Sequence, residues 1–148
     1  MLDGFYCAAP YKNFLVKKLI NQFKYEPFAK ELSKPLVSLI IAHFHLLAKR
    51  PSFLDSKNEF ILVPVPISKK ILKWQRFNPA EEIGKELSKF LKIPLISNDL
   101  TKDKELIKDK KILLVDDVFI DGSALKECAK TLKEFGAKKV WGIVTARE

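Results

Sequence analysis

The chain has 148 residues, which is one ordinary domain with room for a core of its own. Its hydrophobic content of 47% is normal for a globular protein. The formal net charge of +9, from 27 Lys and Arg against 18 Asp and Glu, excludes an acidic protein and favours contact with polyanions. A solvated surface in a lysine-biased sequence explains the same excess, because the lysines recur singly along helices rather than in one block.

The first third of the chain predicts helices. A first helix spans Tyr11 to Phe23, and a second opens near Pro27 and runs to about Lys49 unless Pro35 breaks it. The inward face of the first helix is apolar and consists of Phe14, Leu15, Leu19, Ile20 and Phe23. Residues 1–50 are therefore expected to form a helical N-terminal part that packs on the sheet, and Pro51 to Asn58 form a polar loop.

The remainder predicts an α/β core over residues 59–148. Helices are expected at Pro79–Leu91, with Ile83, Leu87, Phe90 and Leu91 inward, and at Ser123–Phe135, with Leu125, Cys128, Ala129 and Leu132 inward and Gly136 as its C-terminal cap. The predicted strands are Phe60–Val65, Pro94–Ile96, Ile112–Val115 and Val140–Thr145, and Asn98–Lys111 is a charged loop. This alternation predicts one domain, 1–148, with a parallel sheet and right-handed crossover helices.

Cysteine and histidine spacing argues against bound metal. Cys7 and Cys128 have no metal-ligand spacing and cannot form a disulfide framework, so two thiols in a reducing cytoplasm are expected. His43 and His45 are two residues apart, which does not place them on one face of a helix. They lie in the most apolar window, Leu36–Ala48, which is shorter than the roughly 20 residues that span a bilayer. We therefore expect no resident metal and no membrane insertion.

The most informative stretch is Ile112 to Leu125, ILLVDDVFIDGSAL. An apolar strand ends in the adjacent carboxylates of Asp116 and Asp117, and a helix begins after Gly122. Ligands of parallel sheets lie beyond the carboxyl ends of strands, and a helix start favours an anion. Two acids followed by an anion cradle suit a sugar phosphate. The alternative is that the acids merely cap a turn, and neighbouring strand residues face opposite sides unless the strand has already ended.

This stretch resembles the phosphoribosyl-pyrophosphate signature of type I phosphoribosyltransferases. With it, Val63-Pro64-Val65-Pro66, Phe77-Asn78-Pro79-Ala80-Glu81 and the end from Gly136 to Arg147 resemble the ComF-like family, which is associated with competence and DNA uptake. The resemblance covers most of the chain in one order. It implies a type I phosphoribosyltransferase-like fold. The family's N-terminal zinc ribbon of paired CxxC motifs is missing, so no zinc is expected.

The resemblance also implies site residues. Asp116 and Asp117 are expected to bind the ribose hydroxyls of phosphoribosyl pyrophosphate, with magnesium if the protein is active. The 5′-phosphate loop is expected at Ile120, Asp121, Gly122, Ser123 and Ala124, and the pyrophosphate loop at Ile67, Ser68, Lys69 and Lys70. The latter residues are equally ordinary for a solvated loop. No residue is an evident general base, so the catalytic residues stay unknown.

Three departures from the family pattern argue against efficient transfer. Ile120, Asp121 and Ala124 stand where the family usually has threonines, and the carboxylate of Asp121 is suited to capping the helix in place of a phosphate. Where the family has the stretch Arg-Gly-Phe-Asn-Gln, this chain has Gln75-Arg76-Phe77-Asn78-Pro79, in which Asn78 and Pro79 suit a helix start. A longer insertion of the relatives, which would serve as a lid, is replaced here by the short link to Lys111.

Three functional hypotheses follow. The chain is an active phosphoribosyltransferase, a non-catalytic member that binds nucleic acid or an uptake partner, or a fold retained without a ligand. The non-catalytic hypothesis is favoured, with single-stranded DNA or a DNA-uptake protein as partner. The residues suited to contact nucleic acid are Lys69, Lys70, Lys73, Trp74 and Arg76, with Tyr11 as a further aromatic candidate for base stacking.

Overall fold

The computed structural model describes residues 2–25, 27, 29–47, 49, 51, 55, 59–96 and 103–148. Four strands form one parallel sheet: β1 (Gly4–Pro10), β2 (Phe60–Pro64), β3 (Lys111–Phe119) and β4 (Lys139–Arg147), in the order β1-β4-β3-β2. The α-helices of the described residues are α1 (Phe14–Lys24), α2 (Ser33–Leu46), α3 (Lys69–Gln75), α4 (Pro79–Leu91), α5 (Lys104–Ile107) and α6 (Ser123–Glu134).

Helices cover both faces of the sheet. Alternate residues of the strands face opposite sides, so Leu113 and Val115 of β3 join one apolar cluster with α1, α2 and α4. Ile112 and Leu114 of the same strand join a second cluster with α6 and the buried Ile107 of α5. This three-layer arrangement confirms the predicted α/β fold with a parallel sheet and crossover helices.

The N-terminal part was predicted to be helical, but the structure shows that it also contains a strand. Gly4–Pro10 forms β1, which pairs in parallel with β4 at the edge of the sheet. The Gly4 backbone lies against the ring of Trp141, because a Cβ at that position would stand 2.7 Å from Trp141 Cδ1. The half-buried side chains of β1 give no clean alternation, so the sequence pattern did not reveal the strand.

Several predicted boundaries need correction. Helix α1 begins at Phe14 because Asn13 Oδ1 accepts hydrogen bonds from the N–H groups of Leu15 and Val16. Phe14 and Leu15, predicted inward, are 74% and 68% exposed. Helix α2 begins at Ser33 after a 3-10 turn, and Pro35 lies in its first turn without breaking it.

In the second half, Phe90 of α4 is 59% exposed instead of inward, whereas Ile83, Leu87 and Leu91 are buried as predicted. The predicted strand Pro94–Ile96 is reduced to one bridge between Leu62 and Leu95. Parts of the predicted loops 51–58 and 98–111 lie outside the described residues, and the latter contains α5 and the start of β3.

Helix α6 ends as its sequence predicts. Gly136 has a φ of 94°, its N–H donates to Lys133 O, and the N–H of Ala137 donates to Leu132 O. This is a Schellman arrangement, which needs the left-handed conformation that glycine adopts without strain. The termination sends the chain directly into β4, which lies beside β3 in the sheet.

Candidate functional site

A pocket of about 230 Å³ opens at the carboxyl ends of β2 and β3. Pro66, Ile67 and Ser68, which follow β2, form one side, and Asp116 and Asp117 of β3 form another. In parallel α/β sheets this edge is where ligands bind. The fold therefore brings the predicted acidic pair and the loop after β2 into one cavity.

The ribose-binding prediction requires the strand to end before the acidic pair, and in the structure it does not. β3 continues to Phe119, and Asp116 and Asp117 occupy successive positions in it. Both nevertheless line the pocket. Asp117 is 7% exposed, and its N–H donates to Asp116 Oδ1 at 2.9 Å. One carboxylate oxygen of the pair is thus engaged by the strand's own backbone.

A lysine that the sequence analysis did not select lies against this pair. Lys24, the last residue of α1, places its Nζ 3.0 Å from Asp117 Oδ2. The contact is an ion pair between side chains that are 21% and 9% exposed, although Oδ2 has no partner at hydrogen-bond geometry. Because the two charged groups are close and little exposed to solvent, the main effect of this contact on Asp117 is compensation of its negative charge. The positive charge of Lys24 therefore neutralises Asp117 within the pocket.

The fold also changes the protonation of Asp116. Burial and the neighbouring negative charge of Asp117 raise the pKa of Asp116 to about 8. Burial alone would lower the pKa of Lys24, but the carboxylate of Asp117 outweighs it and the pKa is raised. The acidic pair therefore binds a proton more readily than two free aspartates would, and Lys24 compensates its remaining negative charge.

The loop before α6 is also engaged internally. Gly122 occupies the N-cap position with a φ of 77°, so Asp121 precedes the cap instead of forming it, which corrects the predicted N-cap. Asp121 Oδ1 accepts a hydrogen bond from the N–H of Ser123 at 2.9 Å. Hydrogen bonds from Ser123 lower the pKa of Asp121. A carboxylate thus occupies one N–H donor at the start of α6.

This loop forms its own cavity of about 170 Å³ beside the first pocket. Asp116 and Ala124 line both cavities, whereas Asp121, Gly122 and Ser123 line the second alone. The side chain of Ile120 is 68% exposed. The predicted phosphate loop is therefore next to the predicted ribose site, as a single sugar phosphate would require.

The segment after β2 differs from the predicted loop. Ser68 is the N-cap of α3, and its Oγ accepts a hydrogen bond from the N–H of Ile71 at 3.2 Å. Ile67 and Ser68 line the pocket, whereas Lys69 and Lys70 lie in the first turn of the helix and are exposed. The two lysines are therefore helix residues outside the pocket lining, and not loop residues that face it.

The residues proposed for nucleic acid lie on α3. Lys73 is exposed, Trp74 is 52% exposed, and Arg76 ends the helix in a left-handed conformation. The Trp74 ring stacks on Tyr25 with 6.0 Å between centroids and 6° between planes. Tyr11, the other aromatic candidate, lies beside α1, where its hydroxyl donates to Asn21 Oδ1.

Asn78 has a structural role at the pocket wall. Its Oδ1 accepts from the N–H of Ala80, which caps α4 before Pro79, and its Nδ2 donates to Val65 O. These bonds join the start of α4 to the end of β2. Asn78 therefore fixes the shape of the pocket with both polar atoms engaged.

Lys24 could not be selected from the sequence, because it is one of 27 basic residues and matches no motif. Its importance comes from the packing of α1 over the carboxyl edge of the sheet, which joins residues far apart in the chain.

Comparison with known proteins identifies a matching family model and a curated relative. The family model described as phosphoribosyl transferase domain matches residues 26–147. Competence protein F of Haemophilus influenzae is 27% identical over 115 residues, and the match covers 57% of this chain and 50% of that protein. The chain thus spans about half the length of this curated relative.

Two solved structures are also similar. The hypoxanthine-guanine phosphoribosyltransferase of Schistosoma mansoni in complex with IMP has a TM-score of 0.42 and 14% identity, covering 80% of this chain and 65% of that one. The purine phosphoribosyltransferase of Pyrococcus horikoshii has a TM-score of 0.37 and 20% identity, covering 66% and 75%. The similarity to Competence protein F agrees with the resemblance expected from the sequence. Because the family model spans most of the chain, this chain belongs to the phosphoribosyl transferase domain family.

Proposed function

We propose that this chain acts in competence or DNA uptake as a phosphoribosyltransferase-fold protein that does not carry out efficient phosphoribosyl transfer. One observation carries the proposal: groups that would hold a sugar phosphate are already engaged within the chain. Asp117 is paired with Lys24, and the Ser123 N–H is bonded to Asp121. A phosphate must displace the Asp121 carboxylate before it can use the Ser123 N–H, and a ribose hydroxyl must compete with Lys24 for Asp117.

The phosphate loop supports this proposal most directly. Ile120 and Ala124 offer no hydroxyl donors, and Asp121 brings a negative charge to a place where a phosphate would carry another. A phosphate must displace the Asp121 carboxylate from the Ser123 N–H and is repelled by it. We therefore expect weak or absent binding of phosphoribosyl pyrophosphate.

Titration calorimetry with phosphoribosyl pyrophosphate and magnesium tests the proposal. The natural chain should show no binding in the micromolar range. The triple variant Ile120→Thr, Asp121→Thr and Ala124→Thr should bind about tenfold or more tightly, because charge-assisted hydrogen bonds to the phosphate return.

The matched control is Glu134→Thr, which removes one exposed negative charge at the far end of the same helix. It should leave affinity unchanged. Micromolar binding by the natural chain would overturn the argument that the site is occupied by its own residues.

The alternative is an active phosphoribosyltransferase that uses phosphoribosyl pyrophosphate and magnesium. The shared pocket of Asp116, Asp117 and the Pro66–Ser68 segment favours it, because positioning and charge stabilisation supply most of the catalysis in such transfers. A release of pyrophosphate that depends on phosphoribosyl pyrophosphate and an acceptor base would decide for the alternative.

We further propose that single-stranded DNA is a partner and that α3 provides the contact. The support is a short helix with three exposed lysines, Lys69, Lys70 and Lys73, beside the half-exposed Trp74. Lysines suit phosphates and an exposed indole suits a base. A protein of the uptake machinery is the other candidate partner.

The free thiols of Cys7 and Cys128 support a cytoplasmic location. Among the described residues, no helix is long and apolar enough to cross a membrane.

A further inference from the structure

The acidic pair is the part of the pocket where a divalent cation would be expected, because carboxylate oxygens are the ligands that magnesium prefers. The residues do not fit that cation as they stand. Lys24 lies 3.0 Å from Asp117 Oδ2, and Asp116 Oδ1 already accepts the N–H of Asp117. Within the described part of the chain, no three His, Cys, Asp or Glu residues come together as a metal site.

Geometry fixes Lys24 in this position. It is the last residue of α1, and the same helix is anchored in the core by Val16, Ile20 and Phe23. The ammonium group also lies 5.7 Å from the centre of the Tyr25 ring, which adds a favourable contact for a cation. A buried carboxylate needs a charge partner, and Lys24 supplies one from the end of a helix that is anchored in the core.

We propose that Lys24 is the resident cation of the acidic pair, so that its ammonium group takes the place of a divalent metal and excludes one from the site. The inference rests on the proposed function only in treating Asp116 and Asp117 as the ligand end of the pocket. It adds that the pocket is independent of magnesium in the natural chain. It also identifies Lys24 as the residue that determines which cation the pocket holds.

Manganese ion alone is the probe, and its binding is measured by electron paramagnetic resonance in the absence of any sugar phosphate. The natural chain should bind it no better than exposed carboxylates do. Lys24→Met, which keeps the length of the side chain and removes its charge, should bind manganese at least tenfold more tightly. Lys24→Arg should behave as the natural chain, because it retains the positive charge.

Lys18→Met is the matched control, since Lys18 is an exposed lysine on the same helix. The double variant Lys24→Met with Asp117→Asn should lose the gain, which places the ion at the acidic pair. Circular dichroism and thermal unfolding check that each variant is folded. Lys24→Gln is the second neutral variant if Lys24→Met does not fold.

Two outcomes overturn the inference. One is a natural chain that binds manganese as tightly as Lys24→Met, and the other is a folded neutral variant that gains no affinity. These outcomes are separate from the fate of the proposed function. Binding of phosphoribosyl pyrophosphate by the natural chain without any divalent cation would contradict the self-occupied site and leave the role of Lys24 intact.

Discussion

Asp116 and Asp117 are adjacent in sequence and identical in chemistry, yet the fold gives them different surroundings. Lys24 pairs with Asp117 and keeps its charge compensated. Asp116 is partly buried and lies beside the negative charge of Asp117, and both effects raise its pKa to about 8. A carboxyl group in a cleft whose pKa is displaced by burial and a charged neighbour is typical of ligand sites.

The raised pKa of Asp116 predicts how stability depends on pH. Asp116 binds its proton more tightly in the folded protein than in the unfolded chain, where its pKa is near 3.8. The free energy of unfolding should therefore fall as pH rises from about 4 towards about 8 and level off above that. Asp116→Asn removes this titration. Between pH 5 and pH 8, the free energy of unfolding of the variant should rise relative to that of the natural chain by at least about 1.4 kcal/mol, the equivalent of one pKa unit.

Urea unfolding at several pH values measures the difference. Among the described residues, Asp117, Lys24 and the thiol of Cys128 interact electrostatically with Asp116. Burial and, after it, the charge of Asp116 raise the pKa of that thiol to about 11. Neither Lys24 nor Cys128 therefore titrates between pH 5 and pH 8. Asp109→Asn, at an exposed aspartate, is the control. Parallel pH profiles for Asp116→Asn and the natural chain would show that Asp116 ionises normally.

Residue positions in this site are predictable where local sequence specifies them. The order of strand, acidic pair and glycine is enough to place Asp116, Asp117 and Gly122 at the carboxyl edge of the sheet. The Lys24–Asp117 contact is not predictable in this way, because it depends on how α1 crosses the sheet. The engagement of Asp121 follows from its chemistry, but its position one residue before the cap depends on the backbone of Gly122.

At the scale of elements, the turn between β3 and α6 depends on one glycine. Gly122 has a φ of 77°, and a Cβ there would stand 2.6 Å from Phe119 Cε2. Gly122→Ala should therefore lower the free energy of unfolding by roughly 1–2 kcal/mol, the cost of a left-handed non-glycine residue. Urea denaturation measures it, with Lys130→Ala on the exposed face of α6 as control. A loss no larger than that of the control would mean that the turn adapts without strain.

Elements whose ends are set by local chemistry were predicted closely. α4 spans Pro79–Leu91 as expected, because Asn78 caps it and Pro79 suits its first turn. β1 and the true end of β3 were missed, since both depend on pairing with β4 rather than on their own sequence. The prediction for Phe90 was wrong because helical spacing alone does not show whether another element covers the side chain. Its spacing fits an inward face, but among the described residues it is 59% exposed.

For the whole molecule, the excess of lysine is a surface property with two interpretations. The +9 charge follows from composition alone, and the sequence could not decide whether the lysines act together. The fold places three of them on one short helix, with an exposed indole stacked on Tyr25 and the acidic pocket beside it. A local concentration of cations with an aromatic face is what single-strand binding requires.

Binding to single-stranded DNA should therefore depend on α3 and fall steeply with salt. Each neutralised phosphate contributes a slope of about −0.7 in log K against log salt. The variant with Lys69, Lys70 and Lys73 all changed to Glu lowers the net charge from +9 to +3, since each change removes one positive charge and adds one negative charge. Fluorescence anisotropy with a labelled oligonucleotide should show a large loss of affinity at low salt and a shallower slope.

The matched control changes three exposed lysines of other regions, Lys34, Lys130 and Lys138, to Glu. It reaches the same net charge, so a general electrostatic effect would weaken binding equally in both variants. Trp74→Ala separates stacking from charge, because it should weaken binding without altering the salt slope. If the α3 variant and the control lose affinity to the same extent, the basic balance is a property of the whole surface and α3 is not a binding site.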